Sequence, residues 1–372
     1  NVVEKFLNTE NHPEIDLLKL FRYHPIIERP VLIWQSQFWW LYHMVNSQRP
    51  LEEKIALFWH HVFATGESKV ESPLDLTEQI ILFKKNGLGN FKNLLIEVSK
   101  NPAMLFWLDN HENHKRAPNE NWGRELLELF SMGSTNYTEK DVLEASRAFS
   151  GWTISDKLPQ QPWGPYLWNF RFDSNDHDFS EKIFLGHSGK LNGEDIIEII
   201  LQQPATARFI ARHMYNFFVA DEPQVPAWPI EPPNDIHAIT KISESLRINN
   251  WEIKPVLREI FNSNFFKASQ FKKVKNPAEV VAGTLKLTGN LYGPSPEWVD
   301  MLKTPGYMGQ NLFDPPSVEG WHTGKEWINS GAFMTRVNFV SDQIGNIKSN
   351  GVQNLIQHIT KNLKNSTPED IV

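Results

Sequence analysis

The stretch Pro118-Asn119-Glu120-Asn121-Trp122-Gly123-Arg124-Glu125-Leu126-Leu127-Glu128-Leu129-Phe130 decides how this chain is read. A proline and an asparagine open it as they open many helices. Asn121, Glu125 and Glu128 are then spaced four and three residues apart, so a helix projects all three from one face. Glu120, Arg124 and Leu127 fall on the neighbouring stripe, and Leu126, Leu129 and Phe130 supply the apolar contacts that pull the helix into a core. The carboxylates are therefore expected at or near a buried boundary, where acids need partners. Two readings stay open from these residues. In one, Arg124 pairs with Glu120 or Glu128 and Glu120 complements the helix dipole; in the other, the polar face is a site.

Working outward, most of the chain reads as helix. Two short amphipathic patterns precede Pro30, and a nearly all-apolar helix follows over Val31 to Val45, expected to be central. Pro50 opens a helix to Phe63 with acids in its first turn and His60-His61 at its end. Ala64 to Pro73 reads as a loop, and helices are predicted at about Leu76–Lys85, Phe91–Lys100 and Ala103–Leu108, with Asn86-Gly87 as a break. Thr138 with Asp141 three residues on caps a helix over Val142 to Ser150. Between Gly151 and Gly189 the composition changes: Pro159, Pro162 and Pro165 appear, and Trp168-Asn169-Phe170-Arg171-Phe172 alternates as a strand does, which predicts a small β-hairpin or irregular insertion. Helices resume at Gly193–Gln202, Pro204–Val219, Ile236–Ile248, Pro255–Asn262, Pro277–Gly289 and about Gly331–Ile347, followed by a polar tail; Pro223 to Pro233 is a proline-rich loop. The expected fold is mostly α, a multi-helix orthogonal bundle forming a single domain over 1–372 with a hairpin insertion at about 151–189.

Composition narrows the function classes. The net charge of -7 argues against nonspecific nucleic-acid or anionic-membrane binding, which rest on a Lys/Arg excess. With 0 Cys, thiolate zinc sites, disulfides and cysteine nucleophiles are excluded, so a metal would have to use His, Asp, Glu or Asn. No apolar run reaches the roughly 18 residues of a membrane span. Starting at Asn1 without a methionine, the sequence is expected to be a processed form or a piece of something longer. No phosphate loop, dinucleotide fingerprint or nucleophile elbow is present.

Four ordered blocks carry a family resemblance: Leu57-Phe58-Trp59-His60-His61-Val62-Phe63-Ala64-Thr65; Asn119 through Phe130, continuing to Asn136-Tyr137-Thr138-Glu139 and Gly151-Trp152-Thr153; His177-Asp178 with Lys182 and Leu185-Gly186; and Phe313-Asp314-Pro315-Pro316-Ser317-Val318-Glu319-Gly320-Trp321 with Trp327-Ile328-Asn329 and Arg336-Asn338-Phe339. In these the chain resembles the bacterial DUF1800 family. The resemblance implies an exported protein of unestablished activity and a possible partner of the DUF1501 family, which resembles sulfatases and alkaline phosphatases. The chain departs from the family pattern in one place: where Trp-His-x-His-Phe is usual, Val62 stands at the second histidine position.

The candidate chemistry is metal-assisted hydrolysis. Glu125 or Glu128 would bind a divalent metal ion or act as general base, His60 would be ligand or acid, and Arg124 would hold an anionic group. His60 and His61 point about 100° apart on a helix, so at most one serves a given ion. His177 and Asp178 are further tentative ligands, Asp178 being able to orient His60 if the two met; their stretch from Asp173 also reads as an Asx-bonded turn. His111-Glu112-Asn113-His114 lacks the zincin spacing and reads as a solvated loop, with Asp109-Asn110 better placed to contact the central helix. Asp314-Pro315-Pro316 with Gly320 reads as a rigid turn. The competing class is a non-catalytic interaction or surface-assembly protein, its polar cluster a buried ion-pair network fixing helix register.

Overall fold

The computed structural model describes residues 2–155, 168–223, 231–289, 291 and 293–362. The molecule is mostly α, with two small two-stranded antiparallel sheets. A continuous apolar cluster runs from Leu7 to Phe339. At its centre lies the helix Ile33–Asn46, in which every residue from Gln35 to Val45 is buried. The next helix, Pro50–Val62, has proline in its first turn, where the missing N–H costs no hydrogen bond, and Glu52 and Glu53 beside the positive end of the helix.

Aromatic packing joins Pro50–Val62 to its neighbours. Trp59 stacks on Phe63 and Phe91 at 5.5 and 5.4 Å between centroids, and its indole N–H donates to the Gly87 carbonyl at 3.0 Å. A Cβ at residue 87 would lie 2.7 Å from Trp59 Cδ1, so the expected break at Asn86-Gly87 is also a packing requirement. Glu53, buried, is neutralised by Lys84 of the helix Pro73–Asn86 at 2.7 Å. Several expected helices appear with the same bounds, Phe91–Lys100, Gly193–Gln202 and Ile236–Ile248 among them. The helix Glu139–Ala148 begins at Thr138 with the reciprocal cap anticipated, Asp141 N–H to Thr138 and Thr138 N–H to Asp141.

The insertion holds more than one hairpin. Trp152–Ile154 pairs with Phe170–Phe172 in the register Trp152↔Phe172, Thr153↔Arg171, Ile154↔Phe170. A second pair, Lys182–Phe184 with His187–Gly189, turns through Leu185 and Gly186, both at positive φ, the geometry of a tight primed hairpin turn. Pro159, Pro162 and Pro165 lie outside the described residues, as does most of the Pro223–Pro233 loop. The expected polar tail is in part a helix, Asn350–Asn362. Its few apolar residues suffice because Val352 is buried and Ser349 Oγ donates to the Thr288 carbonyl at the end of the helix Pro277–Thr288. Among the described residues, no helix is long and apolar enough to cross a membrane.

Candidate functional site

The central helix is shorter than its pattern suggests, Asn121–Glu128. Leu129 and Phe130 leave it in a turn in which both backbone N–H groups bond the Glu125 carbonyl, at 2.9 and 3.0 Å. Its start is held by side chains: Asn119 accepts from the Asn121 N–H at 3.0 Å, and Asn113 accepts from the Asn119 N–H at 3.0 Å. Gly123 lets the helix lie against Glu139–Ala148, because a Cβ there would fall 2.4 Å from Ser146 Oγ and 2.9 Å from the Val142 carbonyl.

The polar run before the helix is a buried latch in part, which corrects the expectation of a solvated loop. Asn110 donates to the carbonyls of Phe149 and Trp152 at 3.3 and 2.8 Å, and Asn113 donates to Asn110 and to the Ser146 carbonyl at 3.1 and 2.8 Å. Both side chains are sealed from water and satisfied there, as buried amides must be. Asp109 meets the central helix as expected, accepting from Asn121 Nδ2 at 3.1 Å, and it also pairs with Lys69 at 2.7 Å. Asp109 thus ties the short helix Glu67–Val70, which lies in the stretch read as a loop, to the central helix.

Along the predicted face the environment runs from solvent to core: Asn121 is exposed, Glu125 half-buried and Glu128 buried. Glu128 accepts from the Tyr137 hydroxyl at 2.6 Å. Burial and that carboxylate push the phenol well above its ordinary range. Among the described residues the Glu125 carboxyl makes no hydrogen bond and no ion pair. Burial first, then the Glu128 charge, push it up to about 7, with Glu319 adding to the rise and Arg124 opposing it.

Arg124 points elsewhere. Its guanidinium grips Glu139 through two bonds of 2.9 and 2.6 Å and touches Glu120 at 3.3 Å, which raises its pKa further through the Glu139 bond. Of the two i,i+4 partners expected for Arg124, Glu120 and Glu128, it takes Glu120. An anionic ligand would have to displace a carboxylate to reach this group.

The loop 313–321 closes the other side. Phe313 sits at φ 67° and Gly320 at φ 82°, and a Cβ at 320 would lie 2.5 Å from the His61 carbonyl. The Phe313 carbonyl accepts from the Glu67 N–H at 2.8 Å, and Asp314 Oδ1 accepts from the Ser68 N–H at 3.2 Å. Asp314 and Glu319 therefore do more than shape a turn. Glu67, half-buried with one carboxyl oxygen sealed and unpartnered, is pushed up to about 7 by burial and then by Asp314 and Glu71. Both raised carboxyls feel charges of this loop, Glu67 that of Asp314 and Glu125, after its main neighbour Glu128, that of Glu319.

His60 is not part of that acidic face. Its Nε2 accepts from the Phe313 N–H at 3.3 Å, its Nδ1 is sealed without a partner, and the ring lies against Trp40, Phe313 and Trp321 at 5.4, 5.9 and 5.1 Å. Burial drives its pKa down to about 3, so it is a neutral wedge holding the loop. His177 and Asp178 lie against the helix Glu139–Ala148 instead: His177 Nδ1 bonds the Ser150 carbonyl at 2.8 Å and Asp178 pairs with Arg147 at 2.8 Å. Asp178 therefore orients Arg147 and not the His60 ring. Lys182 caps the Asp178 and Ser180 carbonyls. The five tentative ligands, His60, Glu125, Glu128, His177 and Asp178, are thus not gathered; among the described residues no group of three or more His, Asp or Glu has the geometry to hold a metal ion.

The central helix, the end of Pro50–Val62 and the loop 313–321, far apart in the chain, meet here. A family model described as "Protein of unknown function (DUF1800)" matches residues 18–370. The chain belongs to the DUF1800 family. No curated protein and no solved structure matches it. Of this DUF1800 chain's clustered groups, Glu67, Tyr137 and Glu319 have no site role legible in the sequence and Asp314 only a turn-forming one, because nothing in their spacing links residues 67, 137 and 314–319; only the folded chain does.

Proposed function

We propose that this DUF1800 protein is an exported hydrolase that works by proton transfer to and from carboxyl groups, with Glu125 as the general base that takes the proton. The observation that carries the reading is the Glu125 carboxyl itself, half-buried, unpaired and held at about 7. A base with that pKa is deprotonated often enough at neutral pH and still basic enough to take a proton. Glu67, also at about 7 beside the loop 313–321, is the candidate acid. Acid-base hydrolysis needs one group to take a proton and another to give one, and both carboxyls are raised into the range where either state is populated at neutral pH. The tentative ligands do not converge, so no step is assigned to a divalent metal.

The test is a panel of chromogenic nitrophenyl esters, glycosides and phosphates assayed from pH 5 to 9 with wild type and Glu125→Gln. At least one substrate should be turned over with a rate that rises through a limb near pH 7 and is lost in Glu125→Gln. Equal rates for the two proteins across the panel would overturn the assignment.

A second reading, a non-catalytic partner of a DUF1501-like protein, is favoured by a different surface. The helix Ser330–Gly345 exposes Phe333, Met334, Val337 and Ile344, an apolar stripe more common at interfaces than on a bare surface. Co-expression with such a partner should retain it through Phe333→Asp only if this stripe is not the contact.

A further inference from the structure

Away from the carboxyls, a pocket of about 290 Å³ opens between the helices Pro204–Phe218 and Ile236–Ile248. Met132, in the turn after the central helix, closes one end. Phe209 and Ile239 are buried in its wall and Ile236 stands exposed at its edge, so most of the lining is apolar. Two arginines four residues apart, Arg208 and Arg212, line the same wall from one helix face.

Among the described residues neither arginine has a carboxylate within ion-pair distance, although the Glu222 and Glu231 charges act on Arg212 from further off. Arg212 is buried, its guanidinium donates to the carbonyls of Glu231 and Pro223 at 2.6 and 3.2 Å, and its Nε is sealed without a partner. Arg208 is exposed and, among the described residues, makes no side-chain hydrogen bond or ion pair. A buried cation whose direct hydrogen bonds all go to neutral carbonyls is costly even with the Glu222 and Glu231 charges nearby, and a planar guanidinium is suited to a carboxylate or phosphate. The apolar wall beside it suits a hydrocarbon body, and the volume is near the lower end for small-ligand sites, roughly 300 Å³.

We propose that this pocket binds a small amphiphile: one anionic head, carboxylate or phosphate monoester, placed at Arg208 and Arg212, and a medium-length apolar tail along Phe209 and Ile239. The site is separate from the proposed Glu125 chemistry, and its test does not depend on turnover.

Isothermal titration of the full chain with decanoate and decyl phosphate below their micellar concentrations, and decanol below its solubility limit, tests it. At least one of the two anions should bind ten-fold or more tightly than decanol, and whichever binds better identifies the head group. Arg208→Gln, at an exposed position, should remove most of that preference, and Thr240→Trp, exposed at the mouth, should block all three ligands while leaving the far-UV circular dichroism unchanged. Equal affinity for anions and decanol, binding unaffected by Thr240→Trp, no binding of either anion, or binding only to anionic phosphatidylserine vesicles would each overturn the proposal.

Discussion

Replacing Glu125 by Gln should stabilise the protein, and only above pH 5. Gln preserves volume and shape, so no cavity is made. In the unfolded chain the carboxyl has its ordinary pKa of 4.5, and in the folded state about 7. A raised carboxyl binds more protons folded than unfolded, so its contribution is fully favourable below pH 4.5 and is lost as pH rises through 7. The full gap corresponds to about 3.5 kcal/mol at about 1.4 kcal/mol per pH unit. Glu125 keeps some contact with water, so screening reduces this to about 1–2 kcal/mol. Urea unfolding of wild type and Glu125→Gln at pH 4, 6 and 8 reads it directly. The variant should match wild type at pH 4 and exceed it by about 1–2 kcal/mol at pH 8. A difference independent of pH, or a variant less stable than wild type at pH 8, would refute the placement of an uncompensated carboxyl at this boundary.

Other substitutions probe the frame around it. Tyr137→Phe removes the bond to Glu128 and should cost about 1.5–3 kcal/mol at pH 8 by urea unfolding. Gly320→Ala forces a Cβ onto the His61 carbonyl from a left-handed backbone and should cost about 1–3 kcal/mol, visible as a lowered urea midpoint. Asn113→Ala strips a sealed amide from its partners and should cost about 1–3 kcal/mol in the same assay, whereas a solvated residue would give no change. Arg124→Met breaks only surface pairs, with Glu139 and Glu120, and should shift stability by less than about 1 kcal/mol, an effect that added salt diminishes.

Much of this architecture is written locally. Caps such as Thr138 with Asp141, prolines at positions 50 and 204, and 3.6-residue periodicity place helix ends within about three residues because each acts through its own neighbours. The second hairpin escapes that logic: strands of three residues show too little alternation, and Leu185 occupies a left-handed position that Asn or Gly would advertise. The helix Asn350–Asn362 escapes because so few of its residues are apolar. At the site, the shared face of Asn121, Glu125 and Glu128 follows from spacing alone, and so does the Arg124–Glu120 pair. What spacing cannot reveal is which distant segment packs on that face. Glu67, Asp314 and Glu319 arrive by tertiary contact, and His60, within the aromatic run Phe58-Trp59-His60-His61-Val62-Phe63, goes to an aromatic cage rather than to the carboxylates.

The central claim, that Glu125 exchanges its proton near neutral pH, is tested most directly by carbon NMR of the protein labelled at the glutamate side-chain carboxyl. Spectra of wild type and Glu125→Gln between pH 3 and 9 identify the resonance that the substitution removes. That resonance should titrate with a midpoint of about 7. A midpoint below 5 would show that the carboxyl is ordinary and would contradict its role as the base.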